Sequence, residues 1–435
     1  MPEKKSPFQT IVFGVFAFFI IAAVFAFATF SGGKGERPIG EVLMWGSFDR
    51  NLMETYLQTL NDIDNRVENV FYEEIPADVF QSRLAEALAD GSGPDLFILD
   101  QSNLVRHWDK VSKFSYEDIP EREYKDTYIE EAEMFLSSEG IRGLPFSVDS
   151  LVMYWNRDIF AQNGFSQPPS FWDEFFLLSE RITKRDNSNN IEIATVAFGE
   201  FDNVTHAKDI ISTLIMQAGG DIVGFNESGL YVDVTVREGA NEINPTQTAL
   251  RFFTEFANPV KTVYTWNRSL PSSLDSFAQG KLAIYIGYAS DVKTIQAKNA
   301  HLNFDVAPLP QIRTGEQKRV MTYGKLHALA VPKVAVNSYG GEEMAKFMSG
   351  REASEVFAQI NSTASPRRDL LSKTPDDPLL LIFRNAALLS RAWFDPNSEE
   401  TTRIFRRMVG DVTSGATKLS DSIGRASQEL NNLIK

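Results

Sequence analysis

The hydrophobic pattern of the chain begins with an unbroken apolar run over residues 11–28, and no charged residue lies between Lys5 and Lys34. As an α-helix this run would be roughly 27 Å long, close to the hydrocarbon thickness of a bilayer. Lys4 and Lys5 precede the run and favour a cytoplasmic N-terminus. The pattern predicts one transmembrane helix over residues 8–30, retained as an anchor, with the rest of the chain on the extracytoplasmic side.

Processing of this segment has two interpretations. Its length favours a retained anchor, whereas Ala26 and Ala28 fit the small-residue cleavage site of a secretory signal. A lipoprotein anchor is excluded, because no cysteine follows the run. Residues 31–39 are rich in glycine and charge, and they predict a short linker to the folded body. On either interpretation the body faces an extracytoplasmic space.

Beyond the linker, strand-like and helix-like patterns alternate along the chain. This alternation predicts a parallel sheet with helices on both faces. In such sheets ligands bind beyond the carboxyl ends of the strands, which places residues 45–49 and 100–103 at one crevice. The segments in chain order are residues 41–46 (strand), 51–60 (helix), 67–75 (strand), 79–89 (helix) and 96–99 (strand).

The same alternation continues towards the C-terminus without an internal repeat, so the pattern predicts an α/β protein of more than one lobe. Residues 277–288 turn a helix end into a strand, with glycine at both corners. The further predicted helices cover residues 172–183, 207–218, 342–357 and 401–433, and the further predicted strands cover residues 191–198 and 324–332.

Composition and charge exclude several functions. The 435 residues include 43 Lys and Arg against 58 Asp and Glu, so the net charge is −15 and binding to nucleic acid is not expected. The chain has no cysteine for a disulfide or a thiolate metal site, and its four histidines are scattered. No cofactor and no metal ion are therefore expected.

One longer motif carries a family resemblance. Residues 143–156 read Gly-Leu-Pro-Phe-Ser-Val-Asp-Ser-Leu-Val-Met-Tyr-Trp-Asn, and Pro-Pro at residues 168–169 and Phe-Trp-Asp-Glu at residues 171–174 follow. In this order the chain resembles family 1 extracellular solute-binding proteins, the capture subunits of ABC importers, many of which take up sugars. The resemblance covers about residues 40–435. Supporting segments are residues 93–97, 217–220, 277–281, 304–310 and 364–367.

The resemblance implies an α/β, two-lobed periplasmic-binding-protein-like fold of type II, here preceded by the transmembrane helix. Lobe 1 is expected to comprise residues 40–147 and 325–366, and lobe 2 residues 148–324 and 367–435, with hinge strands between them. The resemblance also implies that a small solute, with carbohydrate as the leading class, binds between the lobes and passes to ABC permease subunits. The N-terminal helix would hold the protein at the cell membrane.

The resemblance and the strand ends together select candidate ligand contacts, because sugar recognition combines aromatic rings with carboxylates and amides. Two candidates have structural alternatives. Trp45 at a strand end is equally suited to the core, and Asp100 also fits a helix cap. The expected contacts are Trp45, Ser47, Asp49, Asp100, Gln101, Asp149, Glu200, Asn203, Tyr288 and Trp393.

Catalytic motifs are absent from the sequence, which has no Gly-x-Ser-x-Gly elbow, no His-Glu-x-x-His pair, no Walker A loop and no Gly-x-Gly-x-x-Gly fingerprint. The protein is therefore not expected to be an enzyme, although 58 acidic residues leave a wall hydrolase with an unassigned carboxylate pair as an alternative. Two further alternatives stay open. One is an anchored sensor or glycan tether that is not coupled to import, and the other is a binding protein for a non-sugar solute.

Overall fold

Residues 15–22, 38–234, 244–313 and 319–435 are described by the computed structural model of this protein. Residues 15–22 are helical, and their large hydrophobic side chains are exposed. Within the described residues, no helix combines the length and the apolar character that a membrane crossing needs. The remainder of the predicted span over residues 8–30 lies outside them, as does the predicted linker up to residue 37.

The part of the chain from Glu41 to Lys435 is built on a large mixed β-sheet, accompanied by two short two-stranded sheets. The strands are β1 (Val42–Gly46), β2 (Val70–Glu74), β3 (Leu96–Asp100), β4 (Leu136–Ser137), β5 (Gly140–Ile141), β6 (Leu144–Asn156), β7 (Lys184–Arg185), β8 (Ile191–Val196), β9 (Ile222–Asn226), β10 (Gly229–Asp233), β11 (Leu282–Tyr288), β12 (Phe304–Ala307), β13 (Thr322–Ala330) and β14 (Ser390–Arg391).

Helices pack against this sheet, and short 3-10 helices lie at Asn65–Asn69, Gln101–Asn103 and Glu130–Phe135. The α-helices of the same unit are α1 (Arg50–Asn61), α2 (Ala77–Asp90), α3 (Leu104–His107), α4 (Glu121–Thr127), α5 (Arg157–Gln162), α6 (Glu174–Ile182), α7 (Ala207–Gln217), α8 (Pro245–Glu255), α9 (Ser273–Ala278), α10 (Asp291–Lys298), α11 (Ser338–Met348), α12 (Arg351–Asn361), α13 (Arg368–Leu371), α14 (Pro378–Leu388), α15 (Ser398–Thr413) and α16 (Leu419–Leu433).

The strand order of the large sheet is β2-β1-β3-β13-β6-β11-β8-β7, with β12 beside β6 and β14 beside β13. β1 pairs in parallel with both β2 and β3, which confirms the parallel pattern predicted for the first strands. The sheet as a whole is mixed, however, because β13 runs antiparallel to β3 and to β6. The parallel prediction concerned only the first strands, and the antiparallel pairing arises because β13 enters the sheet from a distant part of the chain.

β6 and β13 connect the two halves of the sheet. They pair antiparallel, with Gly324 opposite Ser150 and Leu326 opposite Val148. The first part of β6 lies beside β13 near the parallel strands, and its second part pairs with β11 and β12. We call the half around β1–β3 the first lobe and the half around β8, β11 and β12 the second lobe. The predicted two-lobed α/β fold is therefore confirmed.

Two helices predicted as single are divided in the structure. The segment 342–357 spans α11 and α12, and the chain turns at Gly350, where a Cβ atom would lie 2.8 Å from the carbonyl oxygen of Phe347. The segment 401–433 spans α15 and α16, and Gly415 between them has a φ of 73°. At both positions glycine adopts a turn that a side chain would oppose.

Gly324 in β13 packs directly against the side chain of Glu131. A Cβ atom at this position would lie only 1.9 Å from Oε2 of Glu131, so no other residue fits without moving the carboxyl group. Glu131 is 2% exposed, and neither of its carboxyl oxygens has a hydrogen-bond partner among the described residues. Burial raises the pKa of Glu131 to about 8, with Arg391 opposing and Asp100 adding to this effect. The carboxyl group under the hinge is therefore neutral at pH 7.

The substitution Glu131→Gln is expected to raise the free energy of unfolding at about pH 7.5 and to change it little near pH 4.5. The unfolded carboxyl group has a pKa near 4.5 and the folded one a pKa of about 8. Between these values the folded state binds more protons, so its stability falls by roughly 1.4 kcal/mol for each unit that the pH rises. Because the glutamine amide does not ionise, the variant does not lose stability as the pH rises through this range. Urea unfolding at the two pH values measures the difference.

Glu133→Gln is the matched control, because Glu133 belongs to the same 3-10 helix and its side chain is exposed. We expect this variant to unfold like the unchanged protein at both pH values. A loss of stability in Glu131→Gln at about pH 7.5, or equal effects of the two substitutions, would contradict a neutral buried carboxyl group at the hinge.

Candidate ligand-binding cleft

A polar cavity of about 270 Å³ lies where the two lobes meet. The first lobe contributes the turn that follows β3, and the second lobe contributes the start of α7, the end of β11 and the start of α15. The hinge strand β13 supplies the remaining side chains. The lining residues are Asp100, Gln101, Ser102, Asn103, Lys208, Asp209, Tyr288, Tyr323, Lys325, Ser398 and Thr402.

On the side of the first lobe, β3 ends at Asp100, which caps the 3-10 helix Gln101–Asn103. Its Oδ1 atom accepts hydrogen bonds from the backbone N–H (2.8 Å) and the hydroxyl group (2.7 Å) of Ser102. Burial opposes ionisation of Asp100, but the positive charge of Lys325 and the hydrogen bonds from Ser102 hold its pKa below the usual value. Asp100 therefore caps a helix, which was the structural alternative to a ligand contact, and its carboxylate also lines the cavity.

Gln101 ties this turn to the hinge. Its side chain is 1% exposed, and its Nε2 atom donates a hydrogen bond of 3.1 Å to the carbonyl oxygen of Gly324 on β13. Loss of this hydrogen bond would leave the carbonyl oxygen of Gly324 buried without its partner, which costs free energy. The contact therefore holds the turn against β13. Gln101 thus positions the first-lobe wall of the cavity.

On the side of the second lobe, Tyr288 at the end of β11 donates its hydroxyl hydrogen to Oδ2 of Asp209, at 2.8 Å. Asp209 lies in the first turn of α7, where the helix dipole favours a carboxylate. The Tyr288 side chain is 2% exposed, and burial raises its pKa well above the usual value. The phenol therefore stays protonated and holds the Asp209 carboxylate in place.

Lys208, the neighbour of Asp209, forms an ion pair and several hydrogen bonds within the protein. Its Nζ atom lies 2.5 Å from Oδ2 of Asp395 and 2.8 Å from Oγ1 of Thr401, and it also donates to the carbonyl oxygen of Ser398. A buried ion pair of this kind needs such extra hydrogen bonds to offset its desolvation. Lys208 therefore joins α7 to α15, and its charge is compensated within the protein.

The hinge strand presents Tyr323 and Lys325 on one face, because residues two positions apart on a strand share a face. Neither the Tyr323 hydroxyl group nor the Lys325 ammonium group has a hydrogen-bond partner among the described residues, and both residues line the cavity. The ammonium lies 5.0 Å from the ring centre of Tyr288. Burial opposes the charge on Lys325, but Asp100 and Asp209, with further carboxylates behind them, raise its pKa. Lys325 is therefore charged.

Of the residues expected from the sequence, Asp100, Gln101 and Tyr288 come together around this cavity. Asp149 lies opposite Lys325 in the antiparallel pair of hinge strands. Its Oδ1 atom accepts a hydrogen bond of 3.2 Å from the backbone of Ser290. Burial raises the pKa of Asp149 to about 6, and its charge acts on Lys325 from outside the cavity lining.

The other first-lobe candidates do not line the cavity. Trp45 is 5% exposed and packs beneath the guanidinium group of Arg83, 5.2 Å from the ring centre. Ser47 and Asp49 are exposed, and Asp49 caps α1 by accepting a hydrogen bond of 3.1 Å from the backbone of Leu52. Trp45 and Asp49 therefore have structural contacts, and none of the three strand-end residues lines the cavity.

The remaining second-lobe candidates lie elsewhere in that lobe, apart from the cavity. Glu200 pairs with Arg268 at 3.5 Å. Asn203 holds a loop, because its Nδ2 atom donates to the carbonyl oxygens of Asn267 and Leu270. The third of these candidates is the 2% exposed Trp393, which donates to Oγ of Ser212 at 3.1 Å and stacks on Phe405.

Sequence reasoning missed Asp209, Tyr323 and Lys325. A signal for Lys325 exists, since it is the single Lys, Arg, Asp or Glu in a mostly apolar segment from Met321 to Val331. An ionisable residue in such a strand needs a partner or a function. Asp209 has no comparable signal, because acidic residues in the first turn of a helix are common. Among the described residues, no group of acidic or histidine side chains is arranged to hold a metal ion.

Comparisons with known proteins support the fold and identify the family. A maltotriose-binding protein of Pyrococcus abyssi is 25% identical over 307 residues, which cover 67% of this chain and 58% of that protein. A protein of Brucella abortus named as a binding protein is 29% identical over 107 residues, which cover 24% of this chain and 25% of that protein. The match to the Brucella relative thus spans about a quarter of its length.

The fold is shared with a solved ABC transporter solute-binding protein from Thermotoga lettingae, whose structure contains α-D-tagatose. The TM-score is 0.70 at 18% identity, and the match covers 91% of this chain and 100% of the other. The periplasmic-binding-protein-like fold implied by the sequence resemblance is therefore confirmed.

The sequence model of one family matches residues 64–355, about two thirds of the chain. Its members and the structural neighbours bind solutes and are not enzymes, in agreement with the expectation from the sequence. The chain therefore belongs to the family of bacterial extracellular solute-binding proteins.

Proposed function

We propose that this protein captures a carbohydrate in the cleft between its lobes and delivers it to an ABC importer. The observation that carries the proposal is the set of side chains that face the cavity. Tyr323 and Lys325 of the hinge strand offer donors without partners, while Asp100 and Asp209 offer carboxylate oxygens from opposite lobes.

This set is complementary to hydroxyl groups, because a hydroxyl group both donates and accepts hydrogen bonds. A ligand with several hydroxyl groups can therefore satisfy the ammonium, the phenol and the two carboxylates together. Buried polar groups that a wrong ligand would leave unpaired are a strong source of specificity. The relatives support the same ligand class, since one is named for maltotriose and a structural neighbour contains tagatose.

Delivery requires that the bound and free forms differ in shape. Among the described residues, the strands β6 and β13 are long elements that both lobes share, and Gly324 lies in one of them. Hinge closure commonly concentrates its dihedral change in a few residues of such strands. A ligand that contacts Asp100 of one lobe and Asp209 of the other would stabilise the closed form, which permease subunits of an importer would then recognise.

We also propose that residues 8–30 anchor the protein in the cell membrane, with the body on the extracytoplasmic side. The support is the uncharged apolar run over residues 11–28, which has the length of a single span. An anchor would keep the body near its permease and raise their local concentration.

Binding is predicted to depend on the cleft residues and not on the exposed strand end. Full-length protein in mild detergent is screened with mono- and oligosaccharides by thermal unfolding, where a ligand at 100 times its Kd adds about 2.7 kcal/mol. For a sugar that raises Tm, we expect Asp209→Asn and Tyr323→Phe to weaken binding about tenfold or more, because each loses a hydrogen bond in a desolvated site.

Asp49→Asn is the matched control, since asparagine keeps the helix cap and Asp49 does not line the cavity. We expect unchanged affinity in this variant. Weaker binding in Asp49→Asn, together with normal binding in Asp209→Asn, would move the site to the strand end that the sequence suggested. Sugar binding without sugar uptake in membrane vesicles that contain the permease would favour a sensor or tether over an importer.

The anchor is tested on the mature protein. We expect the intact mass to include residues 1–28 and the protein to remain in the membrane fraction after an alkaline wash, because one span binds the bilayer nearly irreversibly. Replacement of Phe18 and Ile21 by Arg should release it, since two charges in the middle of the run oppose insertion. A mature chain that begins after Ala28 would show a cleaved signal instead.

A further inference from the structure

The charged side chains around the cavity restrict the class of ligand further than complementarity to hydroxyl groups does. This inference rests on the proposed function. Lys208 contributes no free positive charge, because Asp395 lies 2.5 Å from its ammonium group. The other charged residues of the lining are Asp100, Asp209 and Lys325. Because the charges of Lys208 and Asp395 cancel, the other side chains that line the cavity have a net charge of −1.

Lys325 is the only ammonium group of the lining without a salt bridge to the described residues, and it is surrounded by carboxylates. The histidine nearby does not add to its charge, since burial lowers the pKa of His327 to about 4 and leaves it neutral. Asp149 adds a further negative charge from behind the lining. An anionic ligand would meet these carboxylates, and a cationic ligand would meet the ammonium group of Lys325 in the cavity wall.

The size and the walls of the cavity also restrict the ligand. Its volume of about 270 Å³ lies below the range of roughly 300–1,000 Å³ found for drug-sized ligands. Its aromatic residues are the buried Tyr288 and Tyr323, and no tryptophan lines it. Indole rings that could stack along a longer glycan are therefore placed elsewhere. The buried tryptophans of the described chain are Trp45, Trp155, Trp172, Trp266 and Trp393.

We propose that Lys325 makes the cleft selective for a short neutral saccharide of one or two rings. The ammonium donates hydrogen bonds to hydroxyl oxygens of the sugar, and the same hydroxyl groups donate to Asp100 and Asp209. A sugar carboxylate in this place adds a charge next to those carboxylates, and a sugar amine adds one next to Lys325. Lys325 is in this sense a specificity-determining residue, because its positive charge acts on carboxylates of both lobes.

Calorimetric titration of the full-length protein tests this selectivity with matched probes. Glucose, galactose and mannose are each compared with their uronic acid and their 2-amino sugar, and maltose, maltotriose and maltotetraose test length. We expect one neutral hexose or maltose to bind at least tenfold more tightly than its charged counterparts and than the longer chains. Tighter binding of a uronic acid, of an amino sugar or of chains of three or more rings overturns the inference and leaves the proposed function standing. If no saccharide binds, the proposed function itself fails.

Variants of opposite charge separate a specificity role from a structural one. Lys325→Gln should weaken binding of the neutral sugar at least tenfold and raise the relative affinity of the amino sugar, because Asp100 and Asp209 then lack compensation. Asp209→Asn should raise the relative affinity of the uronic acid. Lys325→Arg keeps the charge and should keep the order of preference even if it binds more weakly.

Lys333→Gln is the control, since Lys333 follows β13 and is exposed outside the cavity. We expect its affinities to match those of the unchanged protein. If Lys325→Gln lowers the affinity for neutral, acidic and amino sugars by the same factor, Lys325 only supports the structure, and its assignment as the specificity-determining residue is overturned.

Discussion

The antiparallel pairing of β6 with β13 is the constraint on which the rest of the structure depends. Both strands run through both lobes, so helices of each lobe pack on a sheet that continues into the other. The alternation of side chains along β13 then divides its two faces. Tyr323 and Lys325 line the cleft, while Gly324 lies against Glu131 on the opposite side. One short segment thereby supplies side chains that line the cavity and the close packing on its other face.

Both ionisable groups beside this segment are protonated, so the Glu131 carboxyl group is neutral and the Lys325 ammonium group is charged. Glu131 has no cation close enough to offset its burial, so the carboxyl group is neutral. Lys325 is also buried, yet carboxylates from both lobes keep its ammonium group charged. Desolvation acts on both groups, and the neighbouring charges decide which one ionises. The cavity is consequently lined by polar and charged groups, while the Glu131 carboxyl group on the opposite side of β13 is neutral.

Particular residues show how far the sequence could lead. The motif over residues 143–156 marked β6, the strand that joins the lobes, and the expected contacts Asp100 and Gln101 after β3 line the cavity in the structure. Tyr288 was also placed in the cleft. Trp393, Glu200 and Asn203 were expected there on resemblance, but each has a structural contact away from the cavity. Strand ends can be read from local patterns, whereas the direction of a side chain in a remote loop depends on packing.

The sequence by itself determined the α/β class and an organisation in more than one lobe, because hydrophobic periodicity is a local property. Its motif over residues 143–156 led to the family by resemblance. The tertiary structure alone decided that Asp209, Tyr323 and Lys325 share one cavity, since these residues come from a helix and a strand more than 100 positions apart. It also decided that Asp395 compensates Lys208 and that Lys325 has no salt bridge within the part of the chain that the structure describes. Charge compensation depends on distances between such remote groups, and periodicity contains no information about those distances.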